Sequence, residues 1–256
     1  MGEIISIHSF RGGTGKSNLA ANIGTILARR GHRVGIVDTD IQSPGVHVLF
    51  GFDDTHLEKA LNDYLWGRAP IEEIAYPIES VGQAAGGLSD LKLWLIPSSI
   101  RTNEIARVLR EGYDVSLLNQ GFHTLIRKLQ LDYLLIDTHP GLNEETLLSI
   151  AISNVLCIIL RPDQQDFQGT AVTVDIARKL EVPKLRLVVN KVLQRLDFNQ
   201  LKQDVEKTYE AEVSGVLPLS EDVVMNASSG IFVALYPQHP WSKTLEAITD
   251  DLIAKE

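Results

Sequence analysis

Residues 4–18 read Ile4-Ile5-Ser6-Ile7-His8-Ser9-Phe10-Arg11-Gly12-Gly13-Thr14-Gly15-Lys16-Ser17-Asn18. Ile4 to Ile7 is a short apolar run of the kind that makes a buried strand. The residues beyond it, Leu19, Ile23, Ile26 and Leu27, recur at helical spacing. Between the two lies a glycine-rich turn that ends in Lys16-Ser17. Strand, Gly-rich loop, Lys-Ser and helix, in that order, are the context a phosphate-binding loop needs. Glycines let the backbone wrap close to phosphate with its N–H groups turned inward. The positive end of the following helix adds to the attraction. In such a loop Lys16 reaches the β- and γ-phosphates of a nucleotide, and the Ser17 hydroxyl is a ligand for Mg²⁺.

The composition is consistent with this reading. At 256 residues and 44% hydrophobic content, the chain can bury a large core and is compatible with one α/β domain spanning 1–256. The net charge of −9 gives no global field toward nucleic acid or anionic lipid. Cys157, the one cysteine, lies inside the apolar run Val155-Leu156-Cys157-Ile158-Ile159 and reads as a core residue. A single thiol allows no internal disulfide, which fits a reducing compartment. No signal peptide or membrane-length apolar stretch is visible, so a cytoplasmic protein is expected.

Further apolar runs end in acids. Val34 to Val37 reads as a second buried strand and leads into Asp38-Thr39-Asp40. Leu131 to Ile136 reads as another, leading into Asp137-Thr138-His139-Pro140-Gly141. Carboxylates at the C-terminal ends of parallel strands stand where an open α/β sheet places its ligand. Mg²⁺ prefers oxygen ligands and keeps its waters, so an acid opposite Ser17 is the expected partner. Strands are also expected at 91–98, Val155–Leu160, Leu185–Lys191 and Val213–Leu217. Helices are expected over Ser98–Leu118, Gly169–Leu180, Phe198–Tyr209 and Trp241–Ile253, and Leu57, Leu61, Tyr64 and Leu65 form a helical stripe. Gln83–Gly87 reads as a flexible surface loop. The fold class is therefore α/β, a mostly parallel twisted sheet flanked by helices on both faces.

The phosphate loop departs from G-x-x-x-x-G-K-[ST], because Phe10 stands at the first glycine position and Gly12-Gly13 follow Arg11. In this it resembles the deviant Walker A box, x-K-G-G-x-G-K-[ST], of the MinD/ParA ATPases, in the MinD/FlhG-like branch. The resemblance covers nearly the whole chain, with its motifs in family order. It implies that Gly12, Gly13, Thr14, Gly15, Lys16, Ser17 and Asn18 bind nucleotide and that Arg11 stands where a signature lysine reaches the partner subunit's nucleotide. A planar guanidinium is not a point ammonium, so that role passes to a different chemical group. The resemblance also implies that Asp40 orients the attacking water and that Asp38 and Asp137 lie at Mg²⁺. Gly141 would sense the γ-phosphate through its N–H, Asn190 would read the adenine edge, and Pro218, Ser220 and Asp222 would belong to the loop packing the adenine. Ala227-Ser228-Ser229-Gly230 matches a further family stretch. His139 departs from the family's usual residue, and no chemistry is assigned to it.

The activity so implied is slow, partner-stimulated hydrolysis of ATP by a homodimer that forms on ATP binding and positions or partitions a cargo. Alternatives are a nucleotide-binding scaffold with little turnover and a P-loop small-molecule kinase or ligase. A cluster-handling ATPase on this scaffold would need cysteines near the dimer axis. Non-specific DNA binding has a candidate patch in Lys191, Arg195, Lys202 and Lys207, interrupted by Asp197, Asp204 and Glu206. Arg101, Arg107 and Arg110 read as a solvated helix face before a partner surface. The terminal segment carries Glu246, Asp250, Asp251 and Glu256 against Lys243 and Lys255, so it is expected to dock on the core and not on a membrane.

Overall fold

The strand entering the phosphate loop is the centre of the sheet, and the chain builds outward from it on both sides. The structure, a computed structural model, describes residues 2–53, 55–78, 91–226 and 228–255. Among these residues the strands are β1 (Glu3–His8), β2 (Val34–Asp38), β3 (Tyr76–Pro77), β4 (Leu93–Ile96), β5 (Tyr133–Asp137), β6 (Val155–Leu160), β7 (Lys184–Val192) and β8 (Val213–Pro218). The helices are α1 (Lys16–Arg29), α2 (Val46–Leu49), α3 (Leu61–Leu65), α4 (Thr102–Glu111), α5 (Ser116–Leu129), α6 (Glu144–Ala151), α7 (Gln164–Lys179), α8 (Phe198–Tyr209), α9 (Glu221–Asn226), α10 (Phe232–Leu235) and α11 (Pro240–Ile253). The loop expected at Gln83–Gly87, and Ala227 of the Ala227-Ser228-Ser229-Gly230 stretch, lie outside the described residues.

The strands form one sheet in the order β3-β4-β2-β5-β1-β6-β7-β8, parallel except where β3 runs antiparallel to β4. β1 pairs with β5 on one side and β6 on the other. The chain thus switches sides of β1 between β5 and β6. Outside the carboxyl ends of strands, such a switch point opens a crevice.

Successive residues of each central strand point to opposite faces. Ile5 and Ile7 of β1, with Cys157 and Ile159 of β6, pack in a cluster with Leu19, Ile23 and Leu27 of α1 and Leu245, Ile248 and Leu252 of α11. Ile4 turns the other way, with Leu134 and Ile136, against Phe122 and Leu125 of α5. On that opposite face of β6, Leu156, Ile158 and Leu160 meet Val174 of α7 and Val205 of α8. Burial on both faces is why these strands read as near-continuous apolar runs. Each such leucine or isoleucine contributes roughly 1.5–3 kcal/mol on leaving water.

Two local expectations need correction. The charged stretch 98–118 is not one helix, because α4 closes at Gly112 in a left-handed conformation (φ 64°). The Asp114 carboxylate then accepts the Ser116 N–H at 2.9 Å, where α5 starts. Leu57 is buried but lies before the helix, which runs only from Leu61 to Leu65. α6 carries a sequence signal that went unread, for Asn143 accepts the Thr146 N–H at 2.8 Å as its N-cap. The terminal helix does dock on the core, with Trp241, Leu245, Ile248 and Leu252 all buried. Among the described residues no helix is long and apolar enough to cross a membrane.

Candidate active site

The phosphate loop is held in shape by its own side chains and by β7. The Ser9 hydroxyl donates to the Arg11 carbonyl at 2.6 Å and accepts from the Thr14 hydroxyl at 2.9 Å. From β7, the Asn190 amide donates to the Thr14 carbonyl at 2.8 Å, and Lys191 Nζ donates to the Gly13 carbonyl at 2.7 Å. Gly15 precedes α1 at φ 101°, a conformation L residues rarely adopt, and a Cβ there would stand 2.8 Å from Asn190 Nδ2. No side chain caps α1 and no acid lies in its first turn, so its leading N–H groups face the loop's interior uncompensated. Lys16 is buried at the start of this helix.

Two acids meet under that loop because of strand register. Asp38 and Asp137 are direct partners across the parallel β2–β5 pair, and both are buried. Neither oxygen of Asp137 has a hydrogen-bond partner at bonding distance. Burial pushes its carboxyl up to about 7, against the opposing pull of Lys16 and the Ser17 hydroxyl. Asp38 is also raised well above the ordinary carboxylate range, first by burial and then by the charge of Asp137. Its oxygens accept the N–H groups of Asp40 (3.0 Å), Gly45 (3.0 Å) and Val46 (3.2 Å). Asp38 therefore ties down the 40–46 loop, whereas Asp137 has both oxygens free. Two buried carboxyls, one with bare oxygens, beside a serine hydroxyl form a donor set suited to a hard divalent cation.

A cavity of about 250 Å³ continues from the loop toward β8. It is lined in part by Asn18, Asn190, Pro218, Ser220 and Trp241. Its walls are apolar with a few polar groups, as a nucleoside site requires. Asn190 is positioned there, with its amide already engaged by Thr14 and its oxygen accepting the Lys191 N–H at 2.9 Å. Asp222, expected in the same loop, stands outside. It opens α9, exposed to solvent, and pairs with His239 Nε2 at 3.1 Å.

The loops at the mouth of the site make contacts that local sequence could not show. Arg11 bends back onto the start of α7, where Nη1 donates to Gln165 Oε1 and lies 3.8 Å from Asp166 and 3.9 Å from Asp163. The Gly141 N–H donates to the Ser9 carbonyl at 3.2 Å, which ties the loop after β5 to the phosphate loop. His139 Nδ1 lies 2.7 Å from Asp40 Oδ1. Of the residues expected to form a basic patch, Lys191 points to Gly13 and Lys202 pairs with Glu206 at 3.8 Å.

His8, at the end of β1, is a second histidine that sequence reading passed over. Thr138 Oγ1 gives its proton to the Ile7 carbonyl (3.1 Å), so the 2.7 Å contact with His8 must be donated by His8 Nδ1. His8 Nε2 is then a bare, buried acceptor. Burial lowers His8 to about 3, with further lowering from Lys16 and His139, so the ring is neutral.

Comparison with known proteins places nearly the whole chain in a family and matches its fold. Residues 1–253 match the ParA family model, described as NUBPL iron-transfer P-loop NTPase. An uncharacterized ATP-binding protein of Methanocaldococcus jannaschii is 26% identical over 254 residues, 99% of this chain and 88% of that protein. An iron-sulfur cluster carrier protein of Pyrococcus furiosus is 26% identical over 98% of this chain and 85% of its own length. The septum site-determining protein MinD of Pyrococcus horikoshii OT3, solved in complex with Mg-ADP, has the same fold. Its TM-score is 0.81 at 20% identity, covering 99% of this chain and 96% of that one.

Proposed function

The chain belongs to the ParA family of P-loop NTPases, and we propose that it is an ATP hydrolase acting as an ATP-dependent dimerising switch that positions or partitions a cellular cargo. The observation that carries the catalytic part is Asp137, a buried carboxylate with two unpartnered oxygens, set against Lys16 and Ser17. Bound between Ser17 and Asp137, Mg²⁺ would draw negative charge from the triphosphate. The chain's own groups do the rest. Lys16 and the N–H groups of residues 12–17 neutralise and orient the phosphates, the cavity beside Asn190 takes the nucleoside, and Asp40 lies at the mouth for the attacking water.

The switch part rests on Arg11, whose side chain is 41% exposed and which meets α7 through Gln165, the exposed Asp163 and, at 3.8 Å, the buried Asp166, a carboxylate already paired with Arg161 at 2.9 Å. The exposed contacts are worth about 1 kcal/mol or less, and Asp166 keeps Arg161 as its partner, so a partner's triphosphate can draw Arg11 away from them. The test is light scattering of the Asp40→Ala variant with and without Mg-ATP. A doubling of mass with ATP is expected. A mass indifferent to ATP that is demonstrably bound would end the switch reading and leave a kinase or a static scaffold.

The iron-sulfur carrier named among the relatives supplies a second reading. Clusters are held mainly by cysteine thiolates. Within these 256 residues Cys157 is the one thiol, buried in β6, and burial pushes it up to about 12. Anaerobic reconstitution with iron and sulfide is therefore expected to leave the protein colourless after desalting. Retained visible absorbance with stoichiometric iron would favour the carrier reading instead.

A further inference from the structure

His139 and Asp40 come from loops 99 residues apart and meet at 2.7 Å, Nδ1 to Oδ1. The other contacts of both residues fix them in place. Asp40 Oδ1 also accepts the Ser43 N–H at 3.1 Å, and the Asp40 N–H is held by Asp38 at 3.0 Å. The His139 carbonyl accepts the Thr146 hydroxyl at 3.2 Å from α6. A carboxylate oxygen is an acceptor, so the bridging hydrogen sits on His139 Nδ1. In the neutral ring that leaves Nε2 as an acceptor, and among the described residues it has no hydrogen-bond partner. Thr138, the residue before His139, meets the buried His8 at the end of β1, the strand that enters the phosphate loop, so His139 stands in the loop beside that entry.

A carboxylate that fixes an imidazole through Nδ1 and leaves Nε2 open is the arrangement by which hydrolases aim a histidine at a nucleophile. We infer that His139 is a catalytic residue of the proposed ATPase, its Nε2 accepting the hydrogen bond of the attacking water, with Asp40 as its positioning residue. The inference rests on the hydrolytic reading above and relocates the water contact from the Asp40 carboxylate to the imidazole. In the step, the water oxygen bonds to the γ-phosphorus as the bond from that phosphorus to the β,γ-bridging oxygen breaks. The electron pair of the broken bond leaves with ADP. One water hydrogen stays on the inorganic phosphate, and the other passes to solvent as a proton. His139 aligns the water lone pair with the phosphorus and is unchanged at the end.

Two amide variants separate an acceptor from a latch. In His139→Asn the amide nitrogen can replace Nδ1 as the donor to Asp40, but nothing replaces Nε2. In His139→Gln the longer side chain carries its amide oxygen to the neighbourhood of Nε2 and gives up the short donor. Single-turnover hydrolysis of Mg-ATP and equilibrium binding of a fluorescent ATP analogue are measured for both variants and the wild type. We expect unchanged affinity, a loss of roughly tenfold or more in the hydrolytic rate for His139→Asn, and a smaller loss for His139→Gln. A His139→Asn variant that turns over normally overturns the assignment. If His139→Gln alone is slow, His139 merely latches Asp40. A wild type that binds ATP without hydrolysing it overturns the hydrolytic reading and this role together, an outcome the binding assay distinguishes from misfolding.

Discussion

The variant Asp137→Asn is expected to melt at a higher temperature than the wild type when both are free of nucleotide and metal, and to lose ATP turnover roughly 100-fold. Both effects have one cause, a carboxylate buried where only a cation would satisfy it. Burial pushes the carboxyl up to about 7 in the folded protein, from about 3.8 in the open chain. Below about pH 4 it is neutral in both states and adds no penalty. As pH rises from about 4 to about 7 the unfolded chain ionises first, so the folded state loses stability across that window and keeps the deficit above it. Asparagine has the same shape and no charge to desolvate. The melting curves of variant and wild type should therefore converge near pH 4 and separate by roughly 5–10 °C at pH 8. Adding Mg-ATP should close the gap by raising the wild type alone. Differential scanning calorimetry in chelator at several pH values reads this directly, and parallel melting curves from pH 4 to 8 would refute it.

That acid could be picked out from the chain, because an apolar run ending in Asp is a local pattern and Leu134-Leu135-Ile136-Asp137 is a clear one. The phosphate loop was legible for the same reason, its glycines, lysine and serine being consecutive. The juxtaposition of Asp38 with Asp137 is a different kind of fact. It comes from the β2–β5 register, which sequence periodicity does not specify. The Asp40–His139 contact and the capture of Arg11 by Gln165 lie further still beyond local reading, since each joins side chains about a hundred or more positions apart. The helix break at Gly112 was readable in principle, because glycine after a charged turn is a stop signal. It was overridden by the run of helix-forming residues on either side. Asp222 misled for a related reason. Its place next to Pro218 and Ser220 in sequence says nothing of the side on which α9 presents it.

The substitution Gly169→Ala is expected to weaken ATP binding more than tenfold, although Gly169 lies in α7 and touches no part of the nucleotide cavity. The link is Phe10, the residue at the first glycine position of the usual phosphate-loop pattern. Its side chain faces the bare Cα of Gly169, where an added Cβ would lie 2.0 Å from Phe10 Cδ1 and 2.3 Å from Cγ. Rotation of the ring alone does not clear the overlap, because Phe10 Cβ would itself be 2.8 Å away. The backbone of residue 10 has to move, and the Ser9–Arg11–Thr14 hydrogen bonds move with it. Overpacking of this sort costs about 1–3 kcal/mol. If the strain is relieved by shifting the loop, the same energy is lost from nucleotide affinity, where 1.4 kcal/mol is tenfold. The pairing also predicts its own rescue. Phe10→Gly removes the ring and its Cβ together, so the double variant Phe10→Gly, Gly169→Ala should bind ATP more tightly than Gly169→Ala alone. Titration calorimetry on the four proteins measures the coupling. Additive losses would mean that Phe10 does not transmit the position of α7 to the phosphate loop.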